Sequence, residues 1–179
     1  MENVVLGLLI IQSLTLYDLN RAFKQGISLF YSASFGSLQT AVRNLLNKGL
    51  IVFTEQVEGG RNKKVYSITE PGKAAFYQWM FDSIPVNKLE VTALSKVYFL
   101  GLIHSMEDRQ QIIHEILRKI EMVQDELNSM NEEFVQLDIP LPYREIFNYQ
   151  LKTLDYGRKA HSFAREWFQD LLIDLESRK

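Results

Sequence analysis

Apolar positions recur in short helical periods up to about residue 80 and in long ones beyond residue 88. Val4, Val5, Leu8, Leu9 and Ile11 predict a first helix. Gly7 inside it costs about 1 kcal/mol of helix propensity and permits close packing. Thr15, with Asp18 three residues on, opens a second helix by a capping-box pattern, and Leu16, Leu19, Ala22 and Phe23 form its apolar face. Ser34 is a good N-cap for a third helix carrying Leu38, Val42, Leu45 and Leu46. Lys48-Gly49-Leu50 ends it in the manner of a Schellman motif, with glycine at C′ and an apolar residue after it. Two β-like runs follow, at 50–57 and 64–69, around a glycine-containing hairpin loop at 58–63. Thr69 caps a fourth helix with Pro71 in its first turn and Ala75, Phe76, Trp79 and Met80 toward the core. Helix, helix, helix, strand, strand, helix is the order of a winged helix-turn-helix with a two-stranded β wing.

Ser83-Ile84-Pro85-Val86-Asn87 reads as a linker, and beyond it the texture changes. Residues 89–105 form one helical pattern and 106–137 a longer one. In the latter, Ile113, Ile116, Ile120, Val123, Leu127, Met130, Phe134 and Leu137 alternate spacings of three and four, a coiled-coil heptad seam. Ile139-Pro140-Leu141-Pro142 breaks the helix, since two prolines cannot continue one. A last helix runs over about 143–175 with Phe147, Leu151, Leu154, Phe168, Leu172 and Leu175 on one stripe. Two long amphipathic helices joined by a short turn would pack as an antiparallel hairpin, but Ile146, Phe163, Ala164, Trp167 and Leu171 widen the last stripe beyond what one partner helix covers, so a second chain is the natural cover. The expected fold is mainly α: a winged helix-turn-helix at 1–82, a linker at 83–87 and a long-helix dimerisation domain at 88–179. Its expected dimer contacts are Ile113, Ile116, Ile120, Val123, Leu127, Phe147, Leu151, Leu154, Phe163, Trp167, Phe168 and Leu171.

The composition, 46% hydrophobic and 23% charged in 179 residues, is that of an ordinary soluble globular protein. The net charge of −2 conceals a split. Up to Met80 there are 8 Lys/Arg against 5 Asp/Glu, a net +3; from Phe81 there are 12 against 17, a net −5. A basic front half suggests a polyanionic partner for that half alone. The absence of cysteine excludes disulfide scaffolds, thiolate metal sites and thiol nucleophiles, and fits a reducing compartment. The apolar run from Val4 to Ile11 is too short for a membrane span and lacks the features of a signal peptide, so a cytoplasmic location is expected.

Val5-Leu6-Gly7-Leu8-Leu9, then Tyr17-Asp18-Leu19, resembles the opening of PadR-type transcriptional regulators. Ser34-Phe35-Gly36-Ser37-Leu38, leading to Leu45 and Lys48-Gly49-Leu50-Ile51, resembles their third helix. The run from Gly60 through Arg61, Lys63, Lys64, Tyr66 and Thr69 to Gly72-Lys73 resembles their wing and the turn into helix four. This last match is the most specific, because it fixes glycines, basic residues, the tyrosine and Thr-x-x-Gly together. The motifs cover about residues 4–76, and the tail is similar in length and pattern to the virulence-activator-type C-terminal domain. Leu16 stands where the family usually has glycine, and Gln39 where it usually has tyrosine. The resemblance implies a homodimer on an inverted-repeat operator, usually repressing, with activation by the tail as the other sign. Several such regulators respond to small aromatic or amphipathic compounds.

With Leu38, Val42 and Leu45 inward, Gln39, Thr40, Arg43 and Asn44 occupy the opposite face of helix three. Gln pairs bidentately with adenine and Arg with guanine, each worth roughly 1–3 kcal/mol of discrimination. Ser34, Ser37 and the first-turn N–H groups suit a phosphate, aided by the helix dipole. Tyr17 is positioned to donate to the DNA backbone, and Arg61, Lys63 and Lys64 put three cations on the hairpin loop. The alternative is a winged-helix protein-interaction module without sequence-specific DNA binding.

His104, His114 and His161 lack metal-ligand spacing, and no phosphate loop, nucleophile elbow or paired-carboxylate motif appears; no cofactor, metal or enzymatic activity is expected. Arg158 and His161 fall on the apolar stripe of the last helix. Three readings stand: they pair across a dimer, they reach to water, or they line a small-molecule site with Tyr149, Tyr156, Phe163 and Trp167. The expected partners are thus double-stranded DNA, a second copy and a small-molecule effector, with no membrane.

Overall fold

Reciprocal side-chain caps set the helix starts that the sequence marks. The computed structural model describes residues 1–58 and 61–177, without the side chains of Glu58 and Arg61. Helix α1 (Glu2–Ile11) precedes a short strand, β1 (Leu14–Thr15), and α2 (Leu16–Gln25). At the start of α2, Thr15 Oγ1 accepts the Asp18 N–H at 3.2 Å, and the Asp18 carboxylate accepts the Thr15 hydroxyl at 2.6 Å. Ser34 and Ser37 do the same for α3 (Phe35–Asn47). At its end the Leu50 N–H donates to Leu45 O and the Gly49 N–H to Leu46 O, both at 3.0 Å, with Gly49 at φ +67°. That is the expected Schellman ending.

The Thr-x-x-Gly motif has a physical cause. Thr69 Oγ1 accepts the Gly72 N–H at 3.2 Å and donates to Gly49 O at 2.8 Å, opening α4 (Glu70–Phe81) and tying it to the end of α3. A Cβ on Gly72 would lie 2.0 Å from Leu50 O, so no other residue fits that approach.

Strands β2 (Ile51–Glu58) and β3 (Arg61–Ile68) pair antiparallel from Ile51↔Ile68 to Glu58↔Arg61. Strand β1 adds to the other side of β3 through Leu14↔Tyr66 and Thr15↔Val65, so the sheet has three strands in the order β1-β3-β2 rather than two. The ladder also runs further than expected: Glu58 belongs to β2, and Arg61, Asn62 and Lys63 belong to β3, not to the loop. Only Gly59 and Gly60 separate the strands, and they lie outside the described residues.

Helix α1 is buried from Val4 through Leu9, whereas Ile11 is exposed at its end, contrary to the predicted stripe. Gly7 allows the approach expected of it: a Cβ there would sit 2.7 Å from the Phe99 ring and 2.9 Å from that of Phe76. Phe99 follows α5 (Leu89–Tyr98), and its ring meets Phe76 edge-on at 5.7 Å. Lys96 of α5 is buried and donates to Asp82 O at 2.5 Å, capping the end of α4. The single helix predicted over 89–105 stops at Tyr98 and tightens into a 3-10 turn at Leu100–Leu102, beside the poor helix former Gly101. By its contacts the chain forms two units: Met1–Ser83 with Glu90–Gly101, and Ile84–Leu89 with Leu102 onward. Helix α5 therefore packs with the front unit, where residues 88–179 were expected as one helical domain.

In the second unit, Ser105 caps α6 (Met106–Val135) by accepting the Asp108 N–H at 3.2 Å. A 3-10 turn at Leu141–Tyr143 leads into α7 (Arg144–Ser177), which folds back along α6. Ile113, Ile116, Ile120, Val123, Leu154 and Phe168 are already buried in the single chain. The heptad seam is thus mainly the inside of this hairpin, and those six side chains have no surface left for a second copy. Among the described residues no helix is long and apolar enough to cross a membrane.

Candidate nucleic-acid interface

Helix α3 buries Leu38, Ala41, Val42 and Leu45 and turns Phe35, Gln39, Thr40 and Arg43 outward. Gln39 and Arg43 are one turn apart and exposed, as the sequence predicts. Thr40 shares the open side, its hydroxyl donating to Gly36 O at 3.0 Å. Asn44 departs from its expected role. It is half-buried, and its Nδ2 donates to Glu2 Oε1 at 3.1 Å while Lys48 Nζ lies 2.6 Å from Glu2 Oε2. Glu2 thereby ties α1 to α3, and the Lys48 ammonium, with help from Asn44, holds its carboxyl below the ordinary glutamate range despite partial burial.

Ser34 and Ser37 are exposed at the start of α3, but their hydroxyls are engaged with each other and with the first turn. The N–H groups of Phe35 and Gly36, which a helix start cannot pair internally, are what this end offers a phosphate. Phe35, 47% exposed, was missed by sequence reasoning, although its place one turn before Gln39 on the open ridge was available to find it.

Tyr17, near the start of α2, is exposed and lines a cleft with Thr15, Leu16, Asp18, Lys63, Lys64 and Tyr66. Three of the predicted phosphate contacts, Tyr17, Lys63 and Lys64, therefore line one cleft. The pleat sends Lys63 and Lys64 to opposite faces of β3. Lys64 faces Glu55 across the ladder, with its ammonium 4.2 Å from the centre of the Phe53 ring. The side chain of Arg61 lies outside the described residues. The Thr15 hydroxyl holds Asp18 below the ordinary aspartate range against the effect of burial, with Arg21 and Lys63 adding to it. Burial alone pushes the Tyr66 hydroxyl up.

The residues weighed for a small-molecule site do not converge. Arg158 Nε donates to Asn128 Oδ1 at 2.8 Å on the inner side of α7, and His161 Nδ1 lies 2.9 Å from Gly157 O of its own helix. Tyr149 and Tyr156 are exposed on the other side, since Tyr156 and Arg158 are about 200° apart around the helix. That outer side forms a second heptad stripe. Ile146, Tyr149, Tyr156, Phe163 and Trp167 are all exposed along it, with Thr153 and Ala160 at its smaller positions. Of the expected dimer contacts, Phe163 and Trp167 fall on this stripe, while Leu127, Phe147, Leu151 and Leu171 are half-buried. Among the described residues no group of three or more His, Asp or Glu side chains could hold a metal ion.

Residues 5–78 match the Transcriptional regulator PadR-like family. Over 180 residues the chain is 23% identical to the Negative transcriptional regulator PadR of Bacillus subtilis (strain 168), covering 98% of this chain and 97% of that one. Two solved structures of Bacillus subtilis PadR are similar in fold. The complex with operator DNA is 22% identical, covers 97% of this chain and 98% of its own, and has a TM-score of 0.46. The complex with p-coumaric acid is also 22% identical, covers 98% and 94%, and has a TM-score of 0.42.

Proposed function

We propose that the chain is a regulator of the PadR-like type, which its residues 5–78 match, and that it represses transcription by binding an inverted-repeat operator as a homodimer. The match to a family of transcriptional regulators supports a DNA-binding role rather than an enzymatic one. The observation that carries the proposal is the open ridge of α3, where Gln39 and Arg43 stand one turn apart with the hydrophobic side of the same helix buried behind them. Gln39 reads adenine and Arg43 guanine, while Lys63 and Tyr17 grip the backbone and fix the register. Two such helices related by a two-fold axis would enter successive major grooves about 34–36 Å apart. Repression is supported by the negative action in the name of the Bacillus subtilis relative. The homodimer is supported by the outer stripe of α7, an apolar face too long to leave in water.

The test is a titration of purified protein against an operator duplex and a random duplex. Arg43→Ala should weaken the operator selectively, by roughly 1–3 kcal/mol. Lys63→Ala should weaken both duplexes alike and flatten the salt dependence by about one unit of slope. Equal losses on both duplexes for both variants would end this division of labour. A small aromatic effector belongs to the proposal only as a class, because the side chains weighed for it lie on two faces of α7. The same titration with p-coumaric acid present reads it: operator affinity should fall, and an unchanged curve removes that ligand from the account.

A further inference from the structure

Helix α3 carries a third residue on its open ridge. Phe35, Gln39 and Arg43 stand at i, i+4 and i+8, all exposed. Phe35 is the first residue of the helix, and the reciprocal Ser34–Ser37 cap fixes the direction of the turn that carries it. The side chain is 47% exposed there. An aromatic side chain nearly half in water at the tip of a helix has no part in the core. Its neighbours along the ridge are hydrogen-bonding side chains suited to base edges.

We propose that Phe35 is a specificity-determining residue that packs on the 5-methyl group of a thymine in each half-site. This rests on the DNA-binding function proposed above. Three facts lead to it. The N-terminal residues of a recognition helix are those that reach base edges. In the major groove the thymine methyl is the apolar group that the base pairs present, and phenylalanine is among the side chains that contact it. Residues four apart on a helix are about 6 Å apart along its axis, close to two base-pair steps of about 3.4 Å each. The ridge therefore reads an apolar position, then an adenine, then a guanine, each about two steps from the last. The cap fixes the turn that carries the ring, and the ridge sets which base it meets.

The test uses the full chain and the duplex it retains best from a random-sequence pool. Each thymine is replaced in turn by deoxyuridine, which removes the methyl and nothing else. At one thymine per half-site the replacement should weaken the wild-type protein about fourfold, the worth of one buried methyl. Phe35→Ala should bind the original duplex correspondingly less well and lose its sensitivity at that thymine. Wild-type binding indifferent to every replacement, or an undiminished effect in Phe35→Ala, overturns the assignment while leaving DNA binding intact. Failure to retain any duplex at low salt overturns the DNA-binding function itself, and this inference with it. Should Phe35→Ala alter sedimentation of the DNA-free protein, the ring belongs to a contact between copies and the assignment falls.

Discussion

At the residue scale, Asp18 links the helix-turn-helix to the wing. Its carboxylate closes the capping box on Thr15 and also lies in the field of Lys63 on β3. The Thr15 hydroxyl holds it below the ordinary aspartate range, ahead of the weaker help from Arg21 and Lys63. A native pKa lowered in this way adds stability that is complete above the unfolded-state value and is lost as pH falls through the native one. Asp18→Ala should therefore cost about 1 kcal/mol at neutral pH, the net worth of a typical hydrogen bond. Thermal melts should show the gap from wild type closing on acidification below the ordinary aspartate range, because the wild-type carboxyl is then protonated as well. A gap that stays constant down to strong acid would mean the charge on Asp18 contributes nothing. This cap was legible in the sequence because it spans three residues. The engagement of Asn44 was not: its partner, Glu2, lies 42 positions away, and only the packing of α1 on α3 brings them together.

At the element scale, what could be read locally was read. The starts of α2, α3 and α4 and the end of α3 follow from Thr15, Ser34, Thr69 and Gly49, each acting within its own turn. Strand β1 was invisible because two residues carry no alternation, and it is a strand only through its pairing with β3. The wing loop looked wider than it is because Arg61, Asn62 and Lys63 are polar, and a strand that projects into water has no apolar period to show. In the tail the heptad period and the antiparallel hairpin of the two long helices were both legible, but the seam residues expected at the dimer are buried inside that hairpin. The short turn at Leu141–Tyr143 lets α7 satisfy most of the seam from within the chain. What remains for a second copy is the outer stripe, with Phe163 68% and Tyr156 76% exposed. Phe163→Glu should keep the helix content of the wild type, since the side chain supports no intrachain core. By sedimentation it should shift the protein from dimer toward monomer, as a charge in an apolar interface costs association. A variant that still sediments as a dimer would move the interface off this stripe.

At the scale of the whole molecule, a net charge of −2 argues against a nucleic-acid partner only if it is averaged over both halves. The front half, with its net +3, contains both α3 and the wing, and the acidic excess lies behind it. Positive charge concentrated on one unit is what a polyanion meets, and binding then releases counterions in proportion to the phosphates neutralised. The measurement that tests this most directly is the affinity of the intact protein for double-stranded DNA across a salt series. The expected result is a linear fall of log K with log salt, at about −0.9 per phosphate, amounting to roughly tenfold or more between about 50 and 200 mM for as few as two contacts. An affinity that is immeasurable at low salt, or flat as salt rises, would contradict the account and leave a winged-helix protein-interaction module in its place.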